Sequence, residues 1–470
     1  MINAGKGVVA LEYVSGATQV ADVEAQAARD GVGYYTANIS LNGISTTGVR
    51  PGQTIHNVWD NVTGTTVVGT AGNDTLHGTN GNDVLLSGSG NDTLYGGYGN
   101  DGFYFGPSLT AADYVDGGGG TDQVALQGNY AKLALGANNL VNVETLVLMS
   151  GSDTRFGDVA GNHYSYDLTT VDANVPAGHL LTVNFNTLLA GENVTFNGSA
   201  ESDGAFLTFG GQGSAHLTGG QQGDGFYFGA GRWNAGDTLD GQGGSDQLGL
   251  QGDFSGANAV TFGAGQLTSI ETIVLLSGAD TRYHSGADAF NYTLTMNDGN
   301  VAAGQALTIN GNTLRAGEVL TFDGSAERDG HFTVYGGAGA DTIIGGALSD
   351  TLYGGAGSDT LTGGAGNDTF LYLNTSDSTP TARDTITDFT AGDKIDLARI
   401  DADSGTGGDQ AFIFLGTAAF DSHAGELRYQ SAGGTHWLVQ GDTNGDGVAD
   451  FEVALTIPDG HTLSAGDFVL

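Results

Sequence analysis

The sequence predicts an all-β fold, a parallel β-solenoid built from short coils, and three observations support this prediction. Aspartate recurs at every ninth residue in two glycine-rich stretches, Gly69–Gly102 and Gly336–Leu371. The chain between them contains a long internal duplication, rich in short Val/Leu/Thr segments. No part of that chain shows the periodicity of an amphipathic helix. A period of nine fits neither a helix face nor an open strand, so it indicates a repeated turn-and-strand unit.

Each nine-residue unit, such as GTAGNDTLH, combines a glycine-rich turn with a short strand. Glycine permits backbone conformations with positive φ, so the turn can be tight. The central residue of the strand is large and apolar and is expected to point inward; these residues are Leu76, Leu85, Leu94, Phe103, Ile343, Leu352, Leu361 and Phe370. Two units form one coil, so Asp74 should stack on Asp92, and Asp83 on Asp101, at ~4.8 Å.

Stacked carboxylates repel one another, and the chain has few basic residues to neutralise them. Acidic residues outnumber basic ones 53 to 13, for a net charge of −40. Calcium accepts six to eight oxygen ligands, which carboxylates and turn carbonyls can supply. Turn chemistry alone explains one such aspartate, but not eight in two phased arrays. The sequence therefore predicts Ca²⁺ as the cofactor, held by Asp74, Asp83, Asp92, Asp101, Asp122, Asp246, Asp341, Asp350, Asp359 and Asp368 with the turn glycines Gly72, Gly81, Gly90, Gly99, Gly339, Gly357 and Gly366.

Composition also excludes several functional classes. The strong negative charge disfavours binding to nucleic acid or anionic lipid. No apolar run is long enough to span a membrane. The chain has no cysteine, which excludes disulfides and thiolate metal sites. We find no H-E-x-x-H, G-x-S-x-G or phosphate-binding motif, so no catalytic residue is predicted and enzymatic activity is not expected.

The internal duplication divides the chain into alternating segments, and it predicts a continuous solenoid whose coils are wider in the duplicated modules than in the calcium rolls. GNDGFYFG recurs as QGDGFYFG, SGSDTRF as SGADTRY, and NGSAESDG as DGSAERDG. In the second glycine-rich stretch Ala215 replaces an expected aspartate and leaves Asp224, so calcium binding there should be weak or absent. The predicted segments are an N-terminal segment of unknown role (1–66), a first roll (67–126), a first module (127–209), a degenerate second roll (210–248), a second module (249–335), a third roll (336–372) and a β-rich C-terminal cap (373–470).

Two features of the modules have two interpretations each, and a third is assigned a structural role. The repeated pairs Asp153/Arg155 and Asp280/Arg282 are turns with a local ion pair or contacts for cell-surface or matrix glycans. The twin FYF segments fill the core or form an aromatic platform. Glu201 and Glu327 are interpreted as turn residues. In each case the structural role is the preferred one.

The nonapeptides of residues 69–104 and 336–371 resemble those of the RTX (repeats-in-toxin) family of secreted bacterial proteins. This resemblance implies a calcium-filled parallel β-roll. The segments DTITDFTAGDKIDL, DTNGDGVADFEVAL and AGDFVL resemble the C-terminal cap of RTX secreted metalloproteases and lipases. In that family an uncleaved C-terminus, here Asp467–Leu470, is read by a type I secretion system. The resemblance thus implies export without an N-terminal signal peptide and a location outside the bacterial cell or on its surface.

A further calcium loop is predicted near the C-terminus. Asp442, Asn444 and Asp446, followed by Gly447, match the start of a D-x-[DN]-x-[DN]-G loop. The glutamate that should occupy the twelfth position is replaced by Val453. The alternative is a hairpin turn that uses Asn-Gly and Asp-Gly for positive φ.

Two functions remain open at this point. The first is a secreted RTX-type calcium-binding protein that folds on extracellular calcium and serves as a cell-surface, matrix or adhesive structural protein. The second is the secretion and folding module of an RTX hydrolase or epimerase whose catalytic domain lies upstream. The absence of a catalytic constellation favours the first.

Overall fold

A computed structural model of the chain describes residues 64–282 and 288–470. The N-terminal segment predicted as 1–66 therefore lies almost entirely outside the described residues. The sequence of this segment suggests a short helix at Ala21–Asp30 and a strand at Tyr34–Gly43, and both of these expectations also lie outside the described residues. The boundaries of the seven predicted segments stay predictions.

The described residues form short β-strands separated by turns, as the sequence predicts. Four 3-10 turns interrupt them, at Asp172–Asn174, Gly256–Asn258, Thr375–Asp377 and Ala465–Asp467. No described helix is long and apolar enough to cross a membrane. The strands are β1 (Thr66–Val68), β2 (Thr75–His77), β3 (Val84–Leu86), β4 (Thr93–Tyr98), β5 (Gly102–Tyr104), β6 (Tyr114–Gly119), β7 (Gln123–Leu126), β8 (Tyr130–Ala134), β9 (Thr145–Leu148), β10 (Tyr166–Thr169), β11 (Leu180–Asn184), β12 (Val194–Asn197), β13 (Ala205–Phe209), β14 (Ala215–Thr218), β15 (Gly225–Gly229), β16 (Thr238–Asp240), β17 (Gln247–Gln251), β18 (Val260–Thr261), β19 (Leu267–Thr268), β20 (Thr272–Leu276), β21 (Tyr292–Thr295), β22 (Ala306–Asn310), β23 (Leu320–Asp323), β24 (His331–Gly337), β25 (Thr342–Ile344), β26 (Thr351–Gly355), β27 (Thr360–Thr362), β28 (Thr369–Leu371), β29 (Asp384–Ile386), β30 (Lys394–Asp396), β31 (Ile413–Gly416), β32 (Glu426–Gly433), β33 (His436–Asp442), β34 (Phe451–Thr456) and β35 (Phe468–Val469).

The described chain forms two compact units. The first comprises residues 64–127 and 135–147, and the second comprises 128–134, 148–282 and 288–470. Each unit is a parallel β-solenoid in which successive strands alternate between sheets.

In the first unit, β1, β3, β5, β7 and β9 follow one another in one sheet, and β2, β4 and β6 in the other. The pairing is parallel, and its register joins Val67 to Leu85 and Leu85 to Phe103. The partners are eighteen residues apart, which confirms the predicted coil of two nonapeptides. Leu85, Leu94 and Phe103 are fully buried, so the apolar residue of each unit does point inward.

The second unit contains three sheets. One has the order β11-β13-β15-β17-β20-β22-β24-β26-β28-β30-β35, a second has β8-β10-β12-β14-β16-β19, and the third has β18-β21-β23-β25-β27-β29-β34-β33-β32-β31. Leu181 pairs with Phe206, 25 residues later, whereas Val334 in the third roll pairs with Leu352 after 18. The coils are therefore wider in the duplicated region, as predicted.

Aromatic side chains fill the solenoid and repeat with the duplication. Phe196 meets Phe206 edge to face at 5.1 Å, and Phe322 meets Phe332 at the same ring distance. In the FYF segments the outer phenylalanines, for example Phe103, are buried. The core interpretation of these segments is therefore confirmed.

The C-terminal cap departs from the parallel pattern. Strands β32, β33 and β34 form an antiparallel meander, and β34 pairs in parallel with β29 of the solenoid. The last strand, β35, returns to pair with β30. Tyr372, at the end of the third roll, packs edge to face on Phe451 of the meander at 5.0 Å. The cap thus shares its core with the third roll.

Candidate metal centres

The predicted aspartates stand at the end of each turn and lie one above another in neighbouring coils. In the third roll the Asp341 N–H donates to Asp359 Oδ1 at 2.7 Å, and the Asp359 N–H donates to Asp384 Oδ1 at 2.8 Å. In the first roll the Asp83 and Asp101 N–H groups donate in the same way to Asp101 and Asp122. Each carboxylate is thus held by the main chain of the preceding coil.

The second carboxylate oxygen divides these aspartates into two groups. In Asp74 and Asp350 it accepts an N–H from the residue four positions earlier, which closes the turn. In the other group it is buried and has no hydrogen-bond partner in the described structure. That group includes Asp101, Asp122, Asp246, Asp341 and Asp359.

A buried oxygen without a partner is costly, because it has lost water and gained nothing. Oxygen atoms of two coils lie close to the turn glycine beside it. A Cβ placed on Gly336 would lie 2.3 Å from Asp341 Oδ2 and 2.5 Å from the Gly354 carbonyl oxygen. A carboxylate and a carbonyl of the next coil therefore converge on the space that the glycine leaves. A buried carboxylate oxygen that has no donor requires a cation or a proton.

The pKa values also show that burial and neighbouring charges disfavour ionisation of the stacked aspartates. Burial raises the pKa of Asp359 to about 7, with a further contribution from the charge of Asp341. Burial and then the Asp359 charge raise the pKa of Asp384 to about 8. Burial likewise raises the pKa of Asp101 to about 6. Hard oxygen ligands without nitrogen or sulfur suit Ca²⁺. The residues therefore fit the ion that the repeats predict.

The remaining predicted residues occupy comparable places. Asp92 accepts from the Asp74 N–H, and Asp368 accepts from the Asp350 N–H, each at 2.9 Å. Among the predicted glycines, positive φ occurs at Gly90, Gly99, Gly357 and Gly366, but not at Gly72, Gly81 or Gly339. At Gly339 the requirement is space, because a Cβ would lie 2.0 Å from the Glu318 carbonyl oxygen. Their assignment as calcium ligands remains a proposal.

Six carboxylates of these stacks were not identified from the sequence: Asp113, Asp237, Asp384, Asp393, Glu144 and Glu271. Insertions break the period of nine before each of them. A short pattern marks three of the aspartates, in TAAD, NAGD and TAGD, where the carboxylate accepts the N–H of the residue three positions earlier at 2.6–2.7 Å. Glu144 and Glu271 occur in the duplicated VET and IET segments and accept from the last aspartate of a roll at 2.7 Å.

The second roll contains more stacked carboxylates than the sequence indicates. The Ala215 N–H donates to Asp237 Oδ1 at 2.8 Å, so that stack lacks one carboxylate. The other stack is continuous, because the Asp224 N–H donates to Asp246 Oδ1 and the Asp246 N–H donates to Glu271 Oε2. Weak calcium binding is therefore a prediction for the Ala215 stack alone.

The loop that contains Asp442, Asn444 and Asp446 joins the antiparallel strands β33 and β34, as the hairpin alternative predicts. Asp442 is fully buried and accepts the N–H groups of Gly445 and Gly447 at 2.7 and 2.8 Å. Its oxygens are thus satisfied by the turn itself. Calcium binding in this loop stays a prediction that no orphaned oxygen supports.

The two Asp-Thr-Arg motifs form local ion pairs. The Arg155 guanidinium binds Asp153, and Arg282 binds Asp280, at 2.7 and 2.6 Å. The preferred interpretation of these motifs as turns is confirmed, and nothing in this geometry supports a glycan partner.

Comparison with known families identifies two regions. Residues 68–103 and 110–125 match the RTX calcium-binding nonapeptide repeat. Residues 326–470, which include the third roll and the cap, match the C-terminal domain of the M10 serralysin peptidases. No curated protein matches the chain. The stacked carboxylates and the eighteen-residue coils agree with both of these results. The chain therefore matches the RTX family of calcium-binding proteins and carries a C-terminal cap like that of type I secreted proteases.

Proposed function

We propose that the chain is an extracellular structural or adhesive protein that a type I system exports and that calcium then folds. One observation supports this more than any other: buried carboxylate oxygens such as Oδ2 of Asp341 and Oδ2 of Asp359 have no hydrogen-bond partner in the described structure. An ion that binds only where folded coils bring these oxygens together adds its binding free energy to folding. Folding should therefore require calcium.

The location of the proposed export signal is consistent with this order of events. Phe468 is 7% exposed, and β35 pairs with β30. The Leu397 N–H donates to the Val469 carbonyl at 2.8 Å. A transporter can read residues 467–470 as an extended peptide only before these bonds form. At submicromolar calcium the strongly charged chain stays expanded, and at millimolar calcium sites with Kd of ~10⁻⁴–10⁻³ M fill.

The test is a calcium titration of the purified chain, followed by far-UV circular dichroism. We expect strand signal to grow with calcium and to disappear on addition of EGTA. Magnesium serves as the control, because its strict octahedral shell does not suit a site of converging carbonyls and carboxylates. A strand signal that is the same in EGTA and in calcium would overturn the proposal.

A second candidate function is supported by the match of residues 326–470 to a peptidase C-terminal domain. In that case the chain would be the folding and secretion module of a hydrolase or epimerase. Sequencing the gene upstream of the Met1 codon distinguishes the two, because an in-frame catalytic domain would favour this second function.

A further inference from the structure

Two aspartate stacks begin at a coil that has no aspartate in the stacked position. Inside a roll the carboxylate accepts the N–H of another aspartate eighteen residues earlier, as Asp368 does from Asp350. At the start of its stack, Asp224 accepts instead from the Phe206 N–H at 2.6 Å. Asp350 likewise accepts from the Phe332 N–H at 2.7 Å. The coil before each of these aspartates therefore lacks the carboxylate that would continue the stack.

The turn of that preceding coil contains a glutamate instead. The Gln221 N–H donates to the Glu201 carbonyl at 3.0 Å, and the Ala347 N–H donates to the Glu327 carbonyl at the same distance. Inside the third roll the Gly346 carbonyl accepts the corresponding N–H of the next coil at 3.1 Å. Each glutamate thus occupies, in the last turn of a module, the place that a glycine occupies in the roll.

The Glu201 side chain lies against the turn that holds Asp224. A Cβ placed on Gly220 would lie 3.1 Å from Glu201 Cβ and 3.3 Å from its Cγ. The N–H of the same glycine donates to Asp224 Oδ2 at 2.6 Å. Burial raises the pKa of Asp224 to about 6, and the charge of Glu201 contributes to this rise. The glutamate and the aspartate therefore meet at one glycine and repel each other when both are ionised.

The duplication repeats this arrangement at the third roll. A Cβ placed on Gly346 would lie 3.4 Å from Glu327 Cβ, and the Gly346 N–H donates to Asp350 Oδ2 at 2.5 Å. Burial raises the pKa of Asp350, again with a contribution from the charge of Glu327. The turns differ in sequence, GGQQGD in one copy and GGALSD in the other, but the glycine and both carboxylates are the same.

Both glutamates are fully buried, and each has one oxygen without a hydrogen-bond partner in the described structure. Glu201 Oε1 accepts the Gly204 N–H of its own turn at 2.8 Å, whereas Oε2 is unpaired. Glu327 divides its oxygens in the same way. The modules contain two other fully buried glutamates, Glu192 and Glu318, and both oxygens of each accept N–H groups. Burial of a glutamate in this fold therefore does not by itself leave an oxygen without a donor.

We propose that Glu201 and Glu327 are calcium ligands, each of which holds one ion together with the first aspartate of its stack, Asp224 or Asp350. A buried carboxylate oxygen without a donor requires a positive charge, and a divalent cation also removes the repulsion from the second carboxylate. Carboxylate and turn carbonyl oxygens are ligands that calcium accepts. The ion would join the last wide coil of a module to the roll that follows. The inference rests on the proposed function for the millimolar calcium at which the site fills.

Substitution of each glutamate by glutamine tests the ligand role. Glu201→Gln keeps the Oε1 acceptor for the turn and replaces the charged carboxylate by a neutral amide. Native mass spectrometry of the full chain at saturating calcium should show one ion fewer in Glu201→Gln, one fewer in Glu327→Gln and two fewer in the double variant. The matched control is Asp203→Asn, which removes a charge from an exposed side chain of the same turn and should keep every ion.

Two results of this comparison would overturn the inference. One is an unchanged calcium count in both glutamine variants, because a protonated or purely structural glutamate tolerates the amide. The other is an equal loss of calcium in Asp203→Asn and Glu201→Gln, because the exposed carboxylates of the turn would then hold the ion.

Crystals of the unaltered chain, grown in millimolar calcium, locate each ion without any substitution. Anomalous diffraction at long wavelength should show a peak about 2.3–2.6 Å from a carboxylate oxygen of Glu201, and an equivalent peak beside Glu327. Peaks between the roll aspartates with none at either glutamate would overturn this inference and leave the proposed function intact. The absence of peaks in the rolls as well would overturn both.

Discussion

Replacement of Asp359 by asparagine tests whether the stacked carboxylates bind calcium or serve the turns alone. Asp359 is 1% exposed, and its Oδ1 accepts the Asp341 N–H, a bond that asparagine can keep. The substitution removes the charge from the orphaned Oδ2 with almost no change in shape. A residue that serves only the turn would tolerate it at every calcium concentration.

The magnitude follows from the electrostatics. Burial raises the pKa of Asp359 from its ordinary 3.8 to about 7. At ~1.4 kcal/mol for each pH unit, the ionised side chain costs the calcium-free fold about 4 kcal/mol at pH 8. Because Asp341 and Asp384 share the repulsion, we expect Asp359→Asn to stabilise the calcium-free fold by about 2–4 kcal/mol. Loss of one calcium site lowers the unfolding free energy of the calcium-bound fold by about 2.7 kcal/mol when free calcium is at one hundred times the Kd of that site.

The assay is urea unfolding at pH 8, followed by circular dichroism, over a series of calcium concentrations. The slope of the unfolding free energy against the logarithm of calcium concentration counts the ions bound on folding. We expect this slope to fall by about one ion for Asp359→Asn. The control is Asp409→Asn, which removes the same charge from an exposed loop. An unchanged slope together with unchanged stability at low calcium would refute the assignment.

Three further predictions concern pH, packing and the C-terminal strand. Since burial raises the pKa of Asp384 to about 8, the folded chain binds protons that the unfolded chain does not. The contribution of Asp384 to the stability of the calcium-free fold is therefore fully present below about pH 4 and is lost as the pH rises through 8. The strand signal in EGTA should grow on acidification from pH 8 to pH 5, and a loss of signal would contradict this. Gly336→Ala should destabilise the calcium-bound fold by about 1–3 kcal/mol in the same urea assay, because the new Cβ would collide with Asp341 Oδ2. The control is Gly407→Ala, which should be neutral because open space surrounds that glycine. Carboxypeptidase should remove residues 467–470 in EGTA but not in calcium, because β35 pairs with β30 in the folded chain. Mass spectrometry measures the trimming, and equal trimming in EGTA and in calcium would contradict the prediction.

The repeated spacing of the nonapeptides was enough to predict the coil. Asp83 lies over Asp101, and Leu85 over Phe103, as a period of nine with two units per coil requires. The reason is local: glycine allows the tight turn, and a strand of three residues directs one apolar side chain inward. The all-β class and the predicted calcium-binding stacks follow from the same pattern, and the internal duplication predicts the wider coils.

Where insertions interrupt the period, spacing along the chain no longer predicts position in the stack. Glu144 and Asp384 join their stacks after insertions because hydrogen bonds between strands of neighbouring coils set the alignment, whatever the length of the turn between them. Burial is also a property of the assembled coils, so only the tertiary structure shows that Asp359 has an orphaned oxygen while Asp74 does not. The same holds for Glu201, a turn residue in the sequence and a buried, half-satisfied carboxylate in the fold. The spacing of residues along the chain is therefore sufficient to predict the repeating unit, whereas contacts between coils determine which carboxylates lack a partner.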